Sequence, residues 1–255
     1  MAYIDEMRNQ GNWLFRWRSF LPLAIVPFFL IGLQHFTYPM GSRLLDRLWE
    51  LFCFAISLLG LGVRIYTVGH VPKGTSGRTT STPKAQELNT TGIYSIVRHP
   101  LYLGNFIIWV GIVLLVRSTL LTAACVLAYF LYYERIIIAE EGFLSEKFGA
   151  AFAQWAEKTP MVIPKFKLWC KPAQPFSWQV VLIREYPGFL TITASFAALD
   201  VLGARFYEGR WQLDWMWAAI LCVGLLAFVI LRTLKKMRII KRPQNPATQT
   251  SVPEA

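Results

Sequence analysis

The chain is short of charge and lacks most signatures of soluble catalysts. Asp, Glu, Lys and Arg make up 16% of its 255 residues, against roughly 25% in an average soluble domain. The four cysteines (Cys53, Cys125, Cys170 and Cys222) are scattered. They form neither a CxxC pair nor a metal-ligand spacing, so a disulfide framework and a zinc site are not expected. There is no Gly-rich dinucleotide fingerprint, no P-loop and no HExxH. The first 20 residues hold no small-residue cleavage site ahead of the first apolar block. That block is therefore expected to be a retained membrane helix and not a signal peptide.

What is abundant is apolar. Hydrophobic residues reach 55%, which excludes disorder and collagen. They fall in blocks too long for strands and mostly near the length of a membrane span. Six candidate spans follow: 20–38, 48–66, 101–116, 119–139, 186–203 and 211–231. The first carries Pro22 and Pro27, which membrane helices tolerate. The third is the shortest, about 24 Å as a helix. Only Arg117 and Ser118 separate it from the fourth, which predicts an antiparallel helical hairpin.

Charge sets the expected orientation. Lys and Arg total 26 against 15 acidic residues, for a net charge of +11. Five arginines (Arg43, Arg47, Arg117, Arg205 and Arg210) fall on one side of a six-span layout. The other 21 basic residues fall on the opposite side. The positive-inside rule then places both termini and both large polar segments in the cytoplasm, in the plasma membrane if the source is bacterial. Anionic lipid explains the basic balance more simply than nucleic acid, and no nucleic-acid partner is expected. Residues 67–91 are rich in Gly, Ser and Thr, with Pro72 and Pro83. Residues 140–175 open with helix formers and close with Pro160, Pro164, Pro172 and Pro175. The basic run Arg232, Lys235, Lys236, Arg238, Lys241 and Arg242 suits anionic headgroups, and the last residues read as a disordered tail.

Two constellations carry chemistry. Arg98 and His99 stand where the chain enters the third span, immediately before Pro100. Pro is favoured in a helix's first turn, so His99 falls at the cap, where the helix dipole suits a carboxylate or phosphate. The residues alone equally allow Arg98 as an interfacial anchor and His99 as a simple cap. Glu134, Arg135, Glu140 and Glu141 close the fourth span. Ionisable groups at membrane depth are costly and are paired or functional. Local pairing of Glu134 with Arg135, and a plain water boundary at Glu140 and Glu141, are the alternative.

Together these residues resemble a known family. Gly92-x-Tyr94-x-x-x-Arg98-His99-Pro100-x-Tyr102-x-Gly104 is followed by Glu140-Glu141-x-x-Leu144-x-x-x-Phe148-Gly149 and Pro160-x-x-x-Pro164. This order is similar to the integral-membrane isoprenylcysteine carboxyl methyltransferases and phospholipid methyltransferases, over about residues 86–164. The resemblance implies S-adenosylmethionine as cofactor, held at the cytoplasmic face. It implies a pocket lined by Gln86, Glu87, Leu88, Asn89, Tyr94, His99, Pro100, Leu101, Tyr102 and Glu140. Arg98, Arg135 and Glu141 are then candidates on the reacting side. Family members place an arginine just before the paired glutamates, and Arg135 lies one position off in an ungapped comparison. Phe152 and Trp155 stand where tyrosines are common. The expected layout is an all-α, polytopic bundle of about six spans. It comprises N-terminal spans (1–66), a methyltransferase core (67–175), two further spans (176–242) and a tail (243–255). The expected activity is methyl transfer to a phospholipid amine, a lipid phosphate or a prenyl-cysteine carboxylate. The last two spans are expected to help form the lipid side. The alternative of a different class is a non-enzymatic membrane protein such as a small transporter or scaffold.

Overall fold

The computed structural model describes residues 2–18, 20, 24–71, 85–237 and 239–240. Pro22, Pro72, Pro83, Arg238, Lys241, Arg242 and the expected tail lie outside them, as does most of the 67–91 loop. The described residues form eight α-helices and no strand. These are α1 (Ala2–Trp17), α2 (Val26–Leu33), α3 (Arg43–Gly69), α4 (Pro100–Leu114), α5 (Thr119–Phe148), α6 (Ala150–Lys158), α7 (Trp178–Glu208) and α8 (Trp215–Lys236).

Among the described residues, α3, α5, α7 and α8 are long and apolar enough to cross a membrane. The third expected span is α4, a shorter apolar helix. In the place of the first expected span stands α2, which has eight residues. Each long helix opens on a side-chain cap. Ser42, Ser118, Ser177 and Asp214 accept hydrogen bonds from the N–H groups of Leu45, Leu121, Val180 and Met216, which satisfies donors left free in a first turn. The α4–α5 hairpin turns at Arg117 and Ser118, as expected.

The four long helices run further than hydropathy indicated, α5 and α7 by the most. α7 begins eight residues before Tyr186 and continues through Pro187. Its start is fixed by Ser177, and the Thr191 hydroxyl bonds back to the Pro187 carbonyl at 2.8 Å. α5 continues past Ala139 to Phe148, so Glu140 and Glu141 stand on the helix itself. Gly149 then turns the chain into α6 at φ 52 and ψ −124, a conformation only glycine adopts readily.

α3 is the central helix, packed against α4 and α7, and α8 covers α7. Gly60, Gly104 and Gly111 let α3 and α4 approach closely: a Cβ on Gly60 would stand 2.6 Å from the Gly104 carbonyl oxygen. Small residues serve this purpose in membranes, where apolar lipid gives no hydrophobic drive for helices to associate. Exposed Val223, Leu225, Leu226, Val229 and Ile230 give α8 an apolar outer surface.

Both ends of the bundle are polar. At the end opposite His99, Arg43 reaches Asp46 (2.6 Å), Asp200 (3.1 Å) and Asp214 (3.4 Å), while Arg47 pairs with Asp214 at 2.7 Å. Arg117 pairs with Asp46. The indole N–H of the fully buried Trp217 donates to Glu50 at 2.8 Å. This lattice ties α3, the α4–α5 turn, α7 and α8 together. All five arginines that the charge count set apart lie at this end.

α1 was not foreseen as an element. It runs antiparallel along the second half of α5: Arg8 pairs with Glu146 at 2.6 Å, Arg135 donates to Gln10 at 3.3 Å, and Tyr132 donates to the Leu14 carbonyl at 3.5 Å. Gly11 lies directly on the Arg135 backbone, and Phe15 is buried one turn on.

Candidate active site

The site begins where α4 starts. Pro100 takes the first helical position and His99 the cap position, but the imidazole does not cap. Instead it reaches across to α5. His99 Nε2 lies 2.8 Å from Glu141, and Nδ1 lies 3.7 Å from Glu140. One turn along α4, the Tyr102 hydroxyl donates to Glu140 at 2.8 Å, and its ring stacks on His99 at 5.6 Å. The nine-residue extension of α5 thus lays two carboxylates over the N-terminus of α4. His99 is 8% exposed, so these bonds form with little competition from water.

Arg98 holds this corner from behind. Its Nε stands 2.9 Å from Glu141, and its guanidinium donates to the carbonyls of Ala156 and Thr159 at the end of α6. The Arg98 N–H donates to the Pro160 carbonyl at 2.9 Å, and the Lys165 N–H to Ile96 at 2.9 Å. The Trp155 indole donates to the Tyr94 carbonyl at 3.0 Å. The proline-rich return segment is therefore stitched to residues 92–99. Burial, with the nearby Glu140 carboxylate, pushes the Tyr94 phenol above its ordinary range.

The structure brings together His99, Pro100, Tyr102, Glu140, Glu141 and Arg98. Leu88 and Asn89 are half-buried, with Asn89 accepting from the Thr91 N–H at 3.3 Å. Gln86 and Glu87 are exposed. Arg135 pairs with Glu134 at 2.7 Å and faces α1.

A cavity of 270 Å³ opens beside His99 and Tyr102. Tyr129, Tyr133 and Glu134 of α5, with Met161 and Val162 of the return segment, also line it. A second cavity of 330 Å³ shares Phe106, Tyr129 and Tyr133 with the first. Its remaining lining is mainly apolar and comes from α4, α5, Leu14 of α1, and residues 24–28. Neither lining contains a residue of α7 or α8. Of the two C-terminal helices, α7 packs on α3 instead and α8 packs on α7. Sequence reasoning missed the shared tyrosines. Tyr129 and Tyr133 stand four apart, on one face of a helix, but apolar neighbours on both sides hid that spacing.

The donor set fits a molecule carrying both a cation and a carboxylate. Two glutamates and several aromatic faces suit a cation, and a helix N-terminus with His99 suits a carboxylate. S-adenosylmethionine has both groups.

The model of the family described as phospholipid methyltransferase matches residues 51–151. The cobalt-zinc-cadmium resistance protein CzcN of Cupriavidus metallidurans is 33% identical over 164 residues, covering 64% of this chain and 70% of that protein. The protein-S-isoprenylcysteine O-methyltransferase of Schizosaccharomyces pombe is 36% identical over 77 residues, 30% of this chain and 33% of that protein. The chain belongs to the isoprenylcysteine carboxyl methyltransferase and phospholipid methyltransferase family. The nickel-cobalt-cadmium resistance protein NccN of Alcaligenes xylosoxydans xylosoxydans is 40% identical over 110 residues, 42% of this chain. The chain spans 49% of the length of NccN. No solved structure matches. Four described helices long and apolar enough to cross a membrane agree with membership of this family.

Proposed function

We propose that the protein transfers a methyl group from S-adenosylmethionine to an oxygen or nitrogen of a lipid or lipid-linked acceptor, at the cytoplasmic face of a six-span bundle with both termini inside. One observation carries the reading. His99 and Tyr102, which bond to Glu141 and Glu140, line a cavity that shares Phe106, Tyr129 and Tyr133 with an apolar groove. A polar donor seat joined to a lipid seat is the arrangement this reaction needs. The transporter or scaffold alternative is not favoured, because it gives no reason for that junction.

When bound, S-adenosylmethionine supplies a sulfonium methyl to an incoming nucleophile. His99 and the N-terminus of α4 hold the carboxylate of its amino-acid end. Glu140 and Glu141 meet its cationic groups, with Tyr102 fixing Glu140. Gln86, Glu87, Leu88, Asn89, Tyr94, Pro100 and Leu101 complete the donor side. Arg98 and Arg135 contribute through the carboxylates they pair with, Glu141 and Glu134. Phe106 and Tyr129 keep water from the junction, and the groove takes the apolar tail. The protein's main work is positioning, which alone removes several kcal/mol from a two-reactant barrier. An anionic oxygen needs no base, whereas an ammonium must first lose its proton.

The test is purified protein in detergent. S-adenosylmethionine should bind by calorimetry, and label from its methyl group should appear in a lipid extract of cells lacking the gene. Absence of both binding and transfer would sink the proposal.

A further inference from the structure

A chain of polar contacts crosses four helices beneath the junction, and each contact has a fixed direction. It begins on α7, outside the matched region. Glu185 is 5% exposed, and Arg64 of α3 grips both of its oxygens, Nε to Oε2 at 2.9 Å and Nη2 to Oε1 at 2.9 Å. This fork is planar and rigid. It leaves Nη1 aimed at α4, where it donates to Asn105 Oδ1 at 2.6 Å. A guanidinium has no acceptor, so the amide must turn its oxygen to Arg64 and its nitrogen the other way. That nitrogen donates to the Tyr133 hydroxyl oxygen at 3.4 Å. The neighbouring Tyr129 hydroxyl donates to the Tyr102 carbonyl at 2.7 Å. A phenol whose oxygen accepts from Asn105 keeps its proton for a second partner: the neighbouring Tyr129 oxygen is one acceptor for it, and Tyr133, which lines both cavities, can turn the same proton to a bound oxygen.

We propose that Tyr133 is the hydrogen-bond donor that seats an anionic oxygen of the methyl acceptor where the two cavities meet, and that Glu185, Arg64 and Asn105 set the direction of that bond. The inference rests on the methyltransferase reading and deepens it. Tyr133 touches the acceptor, and the other three are positioning residues. The shared ligand chemistry is a carboxylate or phosphate oxygen attached to an apolar chain. The extra helix α7 thereby gains a function in the site without lining it. Removing Glu185 would free the guanidinium to rotate, and with it the amide.

The experiment uses the full chain in detergent with two probes, S-farnesylcysteine for a carboxylate and dioleoyl phosphatidic acid for a phosphate. The wild type should methylate one of them, and that arm identifies the source. Tyr133→Phe should raise the KM for that probe by roughly ten- to a hundredfold, the worth of one hydrogen bond to a charged group. S-adenosylmethionine affinity should stay within about twofold. Asn105→Asp keeps a partner for Arg64 but offers Tyr133 a carboxylate oxygen in place of an N–H. Tyr133 then turns its proton away, and the KM should rise by a similar factor although the phenol remains. The double variant should be no worse than either single one, because both remove the same bond. Glu185→Gln should fall between them and the wild type. The rise in unfolding temperature that the probe alone confers on the wild type should shrink in parallel, a readout independent of turnover. An unchanged KM in Tyr133→Phe, or additive losses in the double variant, would overturn the inference and leave the methyltransferase reading standing. A wild type that binds no S-adenosylmethionine and methylates neither probe would overturn both.

Discussion

A methyl group placed on Gly60 tests how closely α3 and α4 approach. Its Cβ would stand 2.6 Å from the Gly104 carbonyl oxygen, 2.7 Å from the Ile108 nitrogen and 2.9 Å from Ile108 Cγ1. Two of these are backbone atoms of α4 and cannot swing aside. Reaching an ordinary separation near 3.5 Å requires the helices to part by roughly 0.9 Å. Overpacking of this kind costs about 1–3 kcal/mol. The same shift would stretch the Arg64–Asn105 bond, now 2.6 Å, to about the outer limit of a hydrogen bond. Gly60→Ala should therefore lower both the unfolding temperature and methyl transfer. Gly62, two residues along the same helix, has nothing within 4 Å of a built Cβ. There the substitution should gain up to about 1 kcal/mol of helix propensity and leave transfer intact. Thermal unfolding followed by tryptophan fluorescence, with label transfer measured alongside, separates the two. Equal stability of Gly60→Ala and Gly62→Ala would refute the close seam.

Three further outcomes are expected. His99→Ala should weaken S-adenosylmethionine binding roughly ten- to a hundredfold, from one lost bond at a buried position; calorimetry giving an unchanged Kd would return His99 to a structural role. Reporter fusions at Ser42 and Gly209 should give one compartment signal and those at Pro164 the other, and a shared signal would refute the topology. At the far end, burial pushes the Asp214 carboxyl up, but the Met216 N–H, Arg47 and Arg43 outweigh it and hold it below its ordinary range. Its contribution is thus present above the unfolded-state pKa of about 4 and lost as pH falls through the lower folded value. Acid unfolding curves of Asp214→Asn should lose that part of their pH dependence, and curves identical to the wild type would count against the pairing.

Much of this architecture was legible because its signals are local. Ser118 between two apolar blocks gave the hairpin, and His99-Pro100 gave the start of α4. The arginine asymmetry gave the far end. The paired glutamates were legible as chemistry and as helix formers, but not as the continuation of the fourth span, because hydropathy ends a span where charge begins and α5 does not stop there. α1 escaped for the same reason: its charged residues masked a face of Gly11 and Phe15 that follows a helical period. The Glu185–Arg64–Asn105–Tyr133 chain was not legible at all. Its members lie far apart in sequence, and only packing of four helices makes them neighbours. The expectation that the last two spans help line the lipid side found a different geometry, because Trp217 and Glu185 turn inward to α3 and away from the groove.

Arg64 and Glu185 are 121 residues apart, and that distance has a consequence for biogenesis. Chains are synthesised at about 5–20 residues per second, so roughly 6–24 s separate the two residues as they leave the ribosome. Through that interval the Arg64 guanidinium stands without the carboxylate that later grips it. Arg43 differs, because Asp46 stands three residues on and Asp200 joins only 157 residues later. A ribosome that stops before α7 leaves Arg64 with Asn105 but without the carboxylate that fixes its direction, even though every residue of the donor site has been made.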